Sequence, residues 1–194
     1  MLSDVSPETL PTDLPRRRFT VDEVNQMVEQ GILGEDEHVE LLDGELVIMS
    51  PLGPPHAALV ADLVHRLTTA YDGKGHVRPQ LPLEVRPHSI PEPDLAVVRG
   101  EPRDFRQRHP VGRDVLLVVE VARTIQQIDR KKIRIYAIAG VRVYWLIDLP
   151  KNQIEVFRTP SADGTYAERT VYKLGQEIPV PDLDLRWPVS DLIG

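Results

Sequence analysis

Val115-Leu-Leu-Val-Val-Glu-Val121, the segment Thr124 to Ala139, and Val141-Arg-Val-Tyr-Trp-Leu-Ile-Asp148 together decide the fold. The first run is apolar and rich in β-branched residues apart from one acid, the pattern of a strand buried on both faces. In the second, Ile125, Ile128, Ile135, Tyr136 and Ala139 step by three and four, and Gly140 ends the pattern, so it predicts a helix. The third run is a strand again. Strand, helix and strand in this order make a βαβ unit, so part of the sheet is expected to be parallel.

Glu120 is the acid of the first strand. Lys132 falls in the middle of the helix stripe, within about 60° of all five apolar residues at 100° per residue. Arg130 and Arg134 lie opposite and Lys131 lies to the side, as solvated charges do. Two readings of Lys132 stand at this point. Either it points at the sheet, or it snorkels to water from a helix edge.

Upstream, Pro91-Glu-Pro-Asp-Leu-Ala-Val-Val98 places a second acid, Asp94, at the start of another apolar strand. A lone carboxylate in such a strand costs several kcal/mol unless it is paired, protonated or bound to a cation. Two such strands and an inward lysine point to a divalent-metal site suited to phosphodiester chemistry. The plainer alternatives are a turn-forming Asp94 and a structural Glu120–Lys132 ion pair.

Further out, Thr20 with Glu23 is a capping-box pattern for a short helix, Val21 to Gln30. Asp43-Gly44 between the apolar runs of His38 to Met49 is a hairpin signal. His56 to Tyr71 reads as a helix with Leu59, Val60, Leu63, Val64 and Leu67 on its inner face. Strands are expected near Val77 to Arg86 and Asp94 to Arg99, then an arginine-rich polar loop from Gly100 to Arg113. Gln153 to Arg158 and Tyr166 to Tyr172 form a closing hairpin or meander.

The 194 residues, 41% hydrophobic and 27% charged, suit one domain with a sizeable core. The expected division is a flexible N-terminal tail, residues 1–18, and a single domain, residues 19–194. No run is apolar for long enough to span a bilayer, so no membrane partner is expected. The proline-bearing, acidic N-terminus does not read as a secretory signal. The absence of cysteine excludes disulfides and thiolate metal sites and fits a cytoplasmic protein. A net charge of −7 disfavours nonspecific attraction to nucleic acid, so such a partner needs a local basic patch or a bound metal.

The order of these motifs resembles the PD-(D/E)XK restriction-endonuclease-like superfamily, and within it the bacterial Uma-type branch of restriction-endonuclease-like proteins. The resemblance runs from about Phe19 to Ile193. It rests on Glu40-Leu-Leu-Asp-Gly-Glu-Leu46, Met49-Ser-Pro51 with His56, and Glu92-Pro-Asp-Leu-Ala-Val-Val98. It continues through Val118-Val-Glu-Val121, Lys132 four residues before Tyr136, and Ala139-Gly-Val141 leading to Tyr144-Trp145. It implies an α/β fold with a restriction-endonuclease-like core, a central mixed β-sheet flanked by helices. It also implies Asp94 and Glu120 as ligands of Mg²⁺ or Mn²⁺, Lys132 as the catalytic cation, and Glu40 as a further catalytic acid. Glu40 also fits an outward-facing strand glutamate.

The superfamily's usual third motif has a lysine two residues after the second acid. That position is Ala122 here, and Lys132 on the next helix takes its place. Ala122-Arg-Thr-Ile-Gln126 stands where the branch has a Ser/Pro-rich turn, and Val143 where it has a glutamate.

The expected activity is metal-dependent hydrolysis of nucleic-acid phosphodiesters, with DNA as substrate. His56 is expected to meet the substrate or its phosphate, or else to be a satisfied structural histidine. Arg106 and Arg108, with Arg103, Arg113 and Arg16 to Arg18, are candidates for phosphate contacts or simply solvated charges. A homodimer would suit an enzyme that cuts both strands. Two other classes remain open: a degenerate nuclease fold used for binding or assembly, and a hydrolase of small phosphodiesters.

Overall fold

The computed structural model describes residues 16–34, 37–49, 53–122 and 127–193. The capping box forms: Thr20 Oγ1 accepts the Glu23 N–H at 3.2 Å, and the Glu23 carboxylate accepts the Thr20 N–H at 3.0 Å. It starts α1 (Val21–Glu29). The hairpin follows as β1 (Val39–Leu42) and β2 (Glu45–Ile48). Asp43 and Gly44 both take positive φ, 57° and 84°, as a tight two-residue hairpin turn requires. Helix α2 (Pro54–Ala70) begins two residues before the expected His56. Prolines are tolerated in a first helical turn, where their missing N–H has no helical partner to lose.

Strand β3 (Gly75–Pro79) is shorter than the expected 77–86 run. Pro79 and Pro82 cannot donate to a ladder. Between them, Gln80 turns to φ 48°, its N–H shared by the carbonyls of Pro93 and Asp94 at 3.2 Å each. Strand β4 (Leu95–Arg99) follows. The expected loop after it is partly ordered into two 3₁₀ turns, Pro102–Phe105 and Gly112–Asp114. Next come β5 (Val115–Ala122), α3 (Gln127–Ile138) and β6 (Val143–Asp148). Ile125, expected on the α3 stripe, lies outside the described residues. The chain closes with β7 (Gln153–Pro160), β8 (Tyr166–Lys173), the short pair β9 (Glu177–Pro179) and β10 (Arg186–Pro188), and α4 (Ser190–Ile193).

The central sheet has six strands in the order β3-β4-β5-β6-β7-β8. Only β5 and β6 pair in parallel, joined by α3; every other neighbouring pair in this sheet is antiparallel. The fold is therefore the expected α/β arrangement with a mixed central sheet. Each face carries a core. Val119 and Val121 of β5 point to one, with Val60, Leu63 and Leu67 of α2. Val118 and Ala122 point to the other, with Tyr136 of α3. Glu120 falls between Val118 and Ala122, so the alternation of a strand turns it to the α3 side.

Gly112 seats the segment before β5 against the end of α3. A Cβ there would lie 1.8 Å from the Ala139 carbonyl oxygen and 2.5 Å from its carbon, both backbone atoms that cannot swing aside. Gly112→Ala is expected to destabilise the fold by about 1–3 kcal/mol. A thermal melt within a degree of wild type would contradict this packing. Among the described residues, no helix is long and apolar enough to cross a membrane.

Candidate active site

Strands β4 and β5 run antiparallel with Leu95 opposite Val119, so one step further Asp94 lies beside Glu120. The Asp94 N–H approaches Glu120 Oε2 at 3.4 Å, and Asp94 Oδ2 accepts the Val121 N–H at 2.8 Å. The first turn of α2 brings His56 to the same place, where its Nε2 donates to Asp94 Oδ1 at 2.8 Å. Both acids are buried: Asp94 is 8% exposed and Glu120 6%.

Lys132 enters from α3 and is 4% exposed, which rules out the snorkelling reading. Its Nζ donates to Glu120 Oε1 at 3.1 Å, to Glu40 Oε1 at 3.0 Å and to the Glu92 carbonyl at 3.4 Å. An ammonium has three N–H groups, so all of them have acceptors. One helical turn on, the Tyr136 hydroxyl donates to Glu120 Oε1 at 2.7 Å. Glu40, on β1, is turned inward, and its Oε2 is buried with no hydrogen-bond partner among the described residues. The outward-facing reading of Glu40 does not hold.

Electrostatics follow from this crowding. Burial, with the nearby charges of Asp94 and Glu40, pushes the Glu120 carboxyl up to about 7, against the pull of Lys132 and Tyr136. Burial also raises Glu40, opposed by Lys132. Glu92 is raised by burial and by the charge of Glu40. Burial works to discharge Lys132, but Glu120 and Glu40 outweigh it and hold the ammonium above its ordinary range. One cation thus serves several carboxylates.

These side chains line a cavity of about 520 Å³. It holds Asp94, Glu120, Lys132, Glu40 and His56, so five of the expected residues converge. The expected arginines do not enter it. Arg106 and Arg108 line a separate groove of about 740 Å³ that meets the cavity at Glu92. Arg108 pairs with Asp114 at 2.6 Å and stacks 4.9 Å from the Phe105 ring centre. Arg17 pairs with Glu23, Arg18 with Asp43, and Arg16 lies 3.9 Å from Glu45.

Glu92, Asp129, Gln80 and Tyr136 were not expected as site residues. Glu92 and Asp129 also line the cavity, as does Gln80. Glu92 stands two residues before Asp94 in an extended segment, which puts both on one side. Asp129 precedes Lys132 by three and Tyr136 follows it by four, the spacings of one helix face. Those signals were present. Gln80 had none, since its place depends on carbonyls at 93 and 94.

Hard oxygen donors suit Mg²⁺ or Mn²⁺, which commonly take one or two carboxylates and keep several waters. Asp94 and Glu120 fit that need, because a carboxylate has about four acceptor positions and hydrogen bonds leave some of them open here. Among the described residues, no three His, Asp or Glu side chains form a ready-made metal cage.

The family model of Uma2, described as a putative restriction endonuclease, matches residues 21–190. The chain belongs to the Uma2 family. A crystal structure described as a putative nuclease belonging to DUF820, from Anabaena variabilis, has the same fold, with a TM-score of 0.73 at 20% identity. The match covers 90% of this chain and 97% of that one. No curated protein matches the chain. Family membership agrees with the restriction-endonuclease-like resemblance, and residues 21–190 include Asp94, Glu120 and Lys132.

Proposed function

We propose that this Uma2 protein is an Mg²⁺- or Mn²⁺-dependent endonuclease that hydrolyses phosphodiester bonds of nucleic acid, with DNA as substrate. The observation that carries the reading is the convergence of two buried carboxylates, Asp94 and Glu120, with the buried ammonium of Lys132. Asp94 and Glu120 would hold the cation. A bound divalent ion supplies Lewis-acid polarisation of a phosphate oxygen and acidifies a bound water. His56 orients Asp94 through their 2.8 Å hydrogen bond. Lys132 opposes the burial that favours the neutral forms of Glu120 and Glu40, and its ammonium would offset negative charge developing on the phosphate. Arg106 and Arg108, in the adjoining groove, are candidates to contact the flanking backbone.

Calorimetric addition of Mn²⁺ tests the site. Binding is expected, with Asp94→Ala and Glu120→Ala each abolishing it. Unchanged affinity in either variant would exclude that acid as a ligand.

One observation favours a second reading. All three Lys132 N–H groups already have protein acceptors, as in a closed ion-pair network of a non-catalytic binding module. Wild-type protein that binds no Mn²⁺ and cuts neither DNA nor RNA would support that reading. Cleavage of a chromogenic phosphodiester without cleavage of DNA would instead mark a small-molecule hydrolase.

A further inference from the structure

We infer that Tyr136 is a positioning residue that decides which oxygen of Glu120 faces a bound cation. The inference rests on Glu120 being a metal ligand, as proposed above.

Tyr136 is fully buried, and its hydroxyl reaches Glu120 Oε1 at 2.7 Å. Lys132 Nζ reaches the same oxygen at 3.1 Å. The two donors come from one helix, four residues apart, so they approach from one side. Together they pin Oε1 toward α3. Oε2 is left on the other side, beside the Asp94 backbone and with only a long 3.4 Å contact to its N–H. A carboxylate held at one oxygen by two donors cannot rotate freely, so Oε2 becomes the oxygen offered next to Asp94.

The hydroxyl is itself held in place. The Tyr136 ring packs on Tyr144 with ring centres 5.4 Å apart, and Tyr144 packs on Phe157 at 5.5 Å and stacks on Tyr166 at 6.5 Å. This aromatic cluster lies behind Glu120. Tyr136 is not among the residues lining the cavity, so it acts on the carboxylate and not on the substrate. Partners of this kind orient metal ligands, and their loss typically lowers metal affinity about 10–100-fold. A merely satisfied buried hydroxyl would affect stability and leave metal binding alone.

Tyr166 supplies the control. Its hydroxyl donates to the Val141 carbonyl at 2.9 Å, in the same cluster but with no bond to Glu120. Tyr136→Phe and Tyr166→Phe each remove one hydroxyl and keep the ring. Both are compared with wild type by thermal melting and by calorimetric addition of Mn²⁺. The expected result is at least a tenfold weaker Mn²⁺ affinity in Tyr136→Phe, with Tyr166→Phe like wild type. Wild-type affinity in Tyr136→Phe, or equal losses in both variants, would overturn the inference. If wild type binds Mn²⁺ and Tyr136→Phe does not differ, only the positioning role fails. If wild type binds none, the metal-site reading fails, and this role with it.

Discussion

Lys132→Met is expected to lower metal-dependent nicking of DNA by roughly a hundredfold or more, whereas Lys131→Met should cost only a modest amount. The two lysines are adjacent in sequence and differ by 100° around α3. Lys132 is buried between Glu120 and Glu40. Lys131 is partly exposed and pairs with Glu45 on the hairpin. Methionine keeps most of the stem and removes the charge, so the change is mainly electrostatic. It leaves two buried carboxylates without their cation. Breaking a buried pair in this way costs about 3–5 kcal/mol, which corresponds to a melting temperature lower by on the order of 10 °C. Activity is therefore compared below the melting range of the variant, on plasmid and single-stranded DNA with Mg²⁺ or Mn²⁺. Mn²⁺ affinity should not fall, because Lys132 competes with a cation for the same acids. Any loss in Lys131→Met should shrink at high salt, since it reflects only substrate attraction. Equal losses from the two substitutions would defeat the assignment of Lys132.

The position of Lys132 was legible because helical spacing carries direction. Five apolar residues defined a stripe, and the lysine stood in its middle. The same held for Glu120, where the near-continuous apolar run left no exposed face for an acid. The hairpin around Asp43-Gly44 was legible because only a few residue pairs suit that turn. What the sequence did not disclose depends on packing between distant segments. His56 could be placed on the inner edge of α2, but its partner Asp94 is set by where that helix meets β4. The end of β3 depends on Gln80 bonding to carbonyls of residues 93 and 94. Arg16 to Arg18 read as phosphate contacts or solvated charges, yet each has an acid near it that local spacing did not reveal. Tyr136 read as core, and its ring is core. Its hydroxyl has a second role that hydrophobic periodicity cannot register.

Glu120→Gln is expected to remove activity almost entirely while leaving the metal-free fold as stable as wild type or more so. The activity loss follows from losing a charged ligand. The stability gain follows from the surplus of acids around one lysine. Loss of Glu120's charge does not strand Lys132, because Glu40 Oε1 remains at 3.0 Å. The amide oxygen can still accept from Tyr136, so the packing is kept. The pH dependence gives the sign. Glu120 is raised from its ordinary 4.5 to about 7 in the folded chain, so between these values the folded state holds a proton that the unfolded state releases. Stability from this group therefore falls as pH rises through that window, and it is highest below 4.5. Lys132 is raised as well, and its contribution is present in full below its ordinary 10.5, so it does not vary across the window. The variant lacks the Glu120 term. Its melting temperature should match wild type near pH 5 and exceed it near pH 8, by about 2–4 °C for each kcal/mol relieved. The melts are run in metal-free buffer at both pH values. A large drop in the variant at pH 8 would mean that the Glu120–Lys132 pair is held for stability, and that the crowding of acids is not relieved by removing one of them.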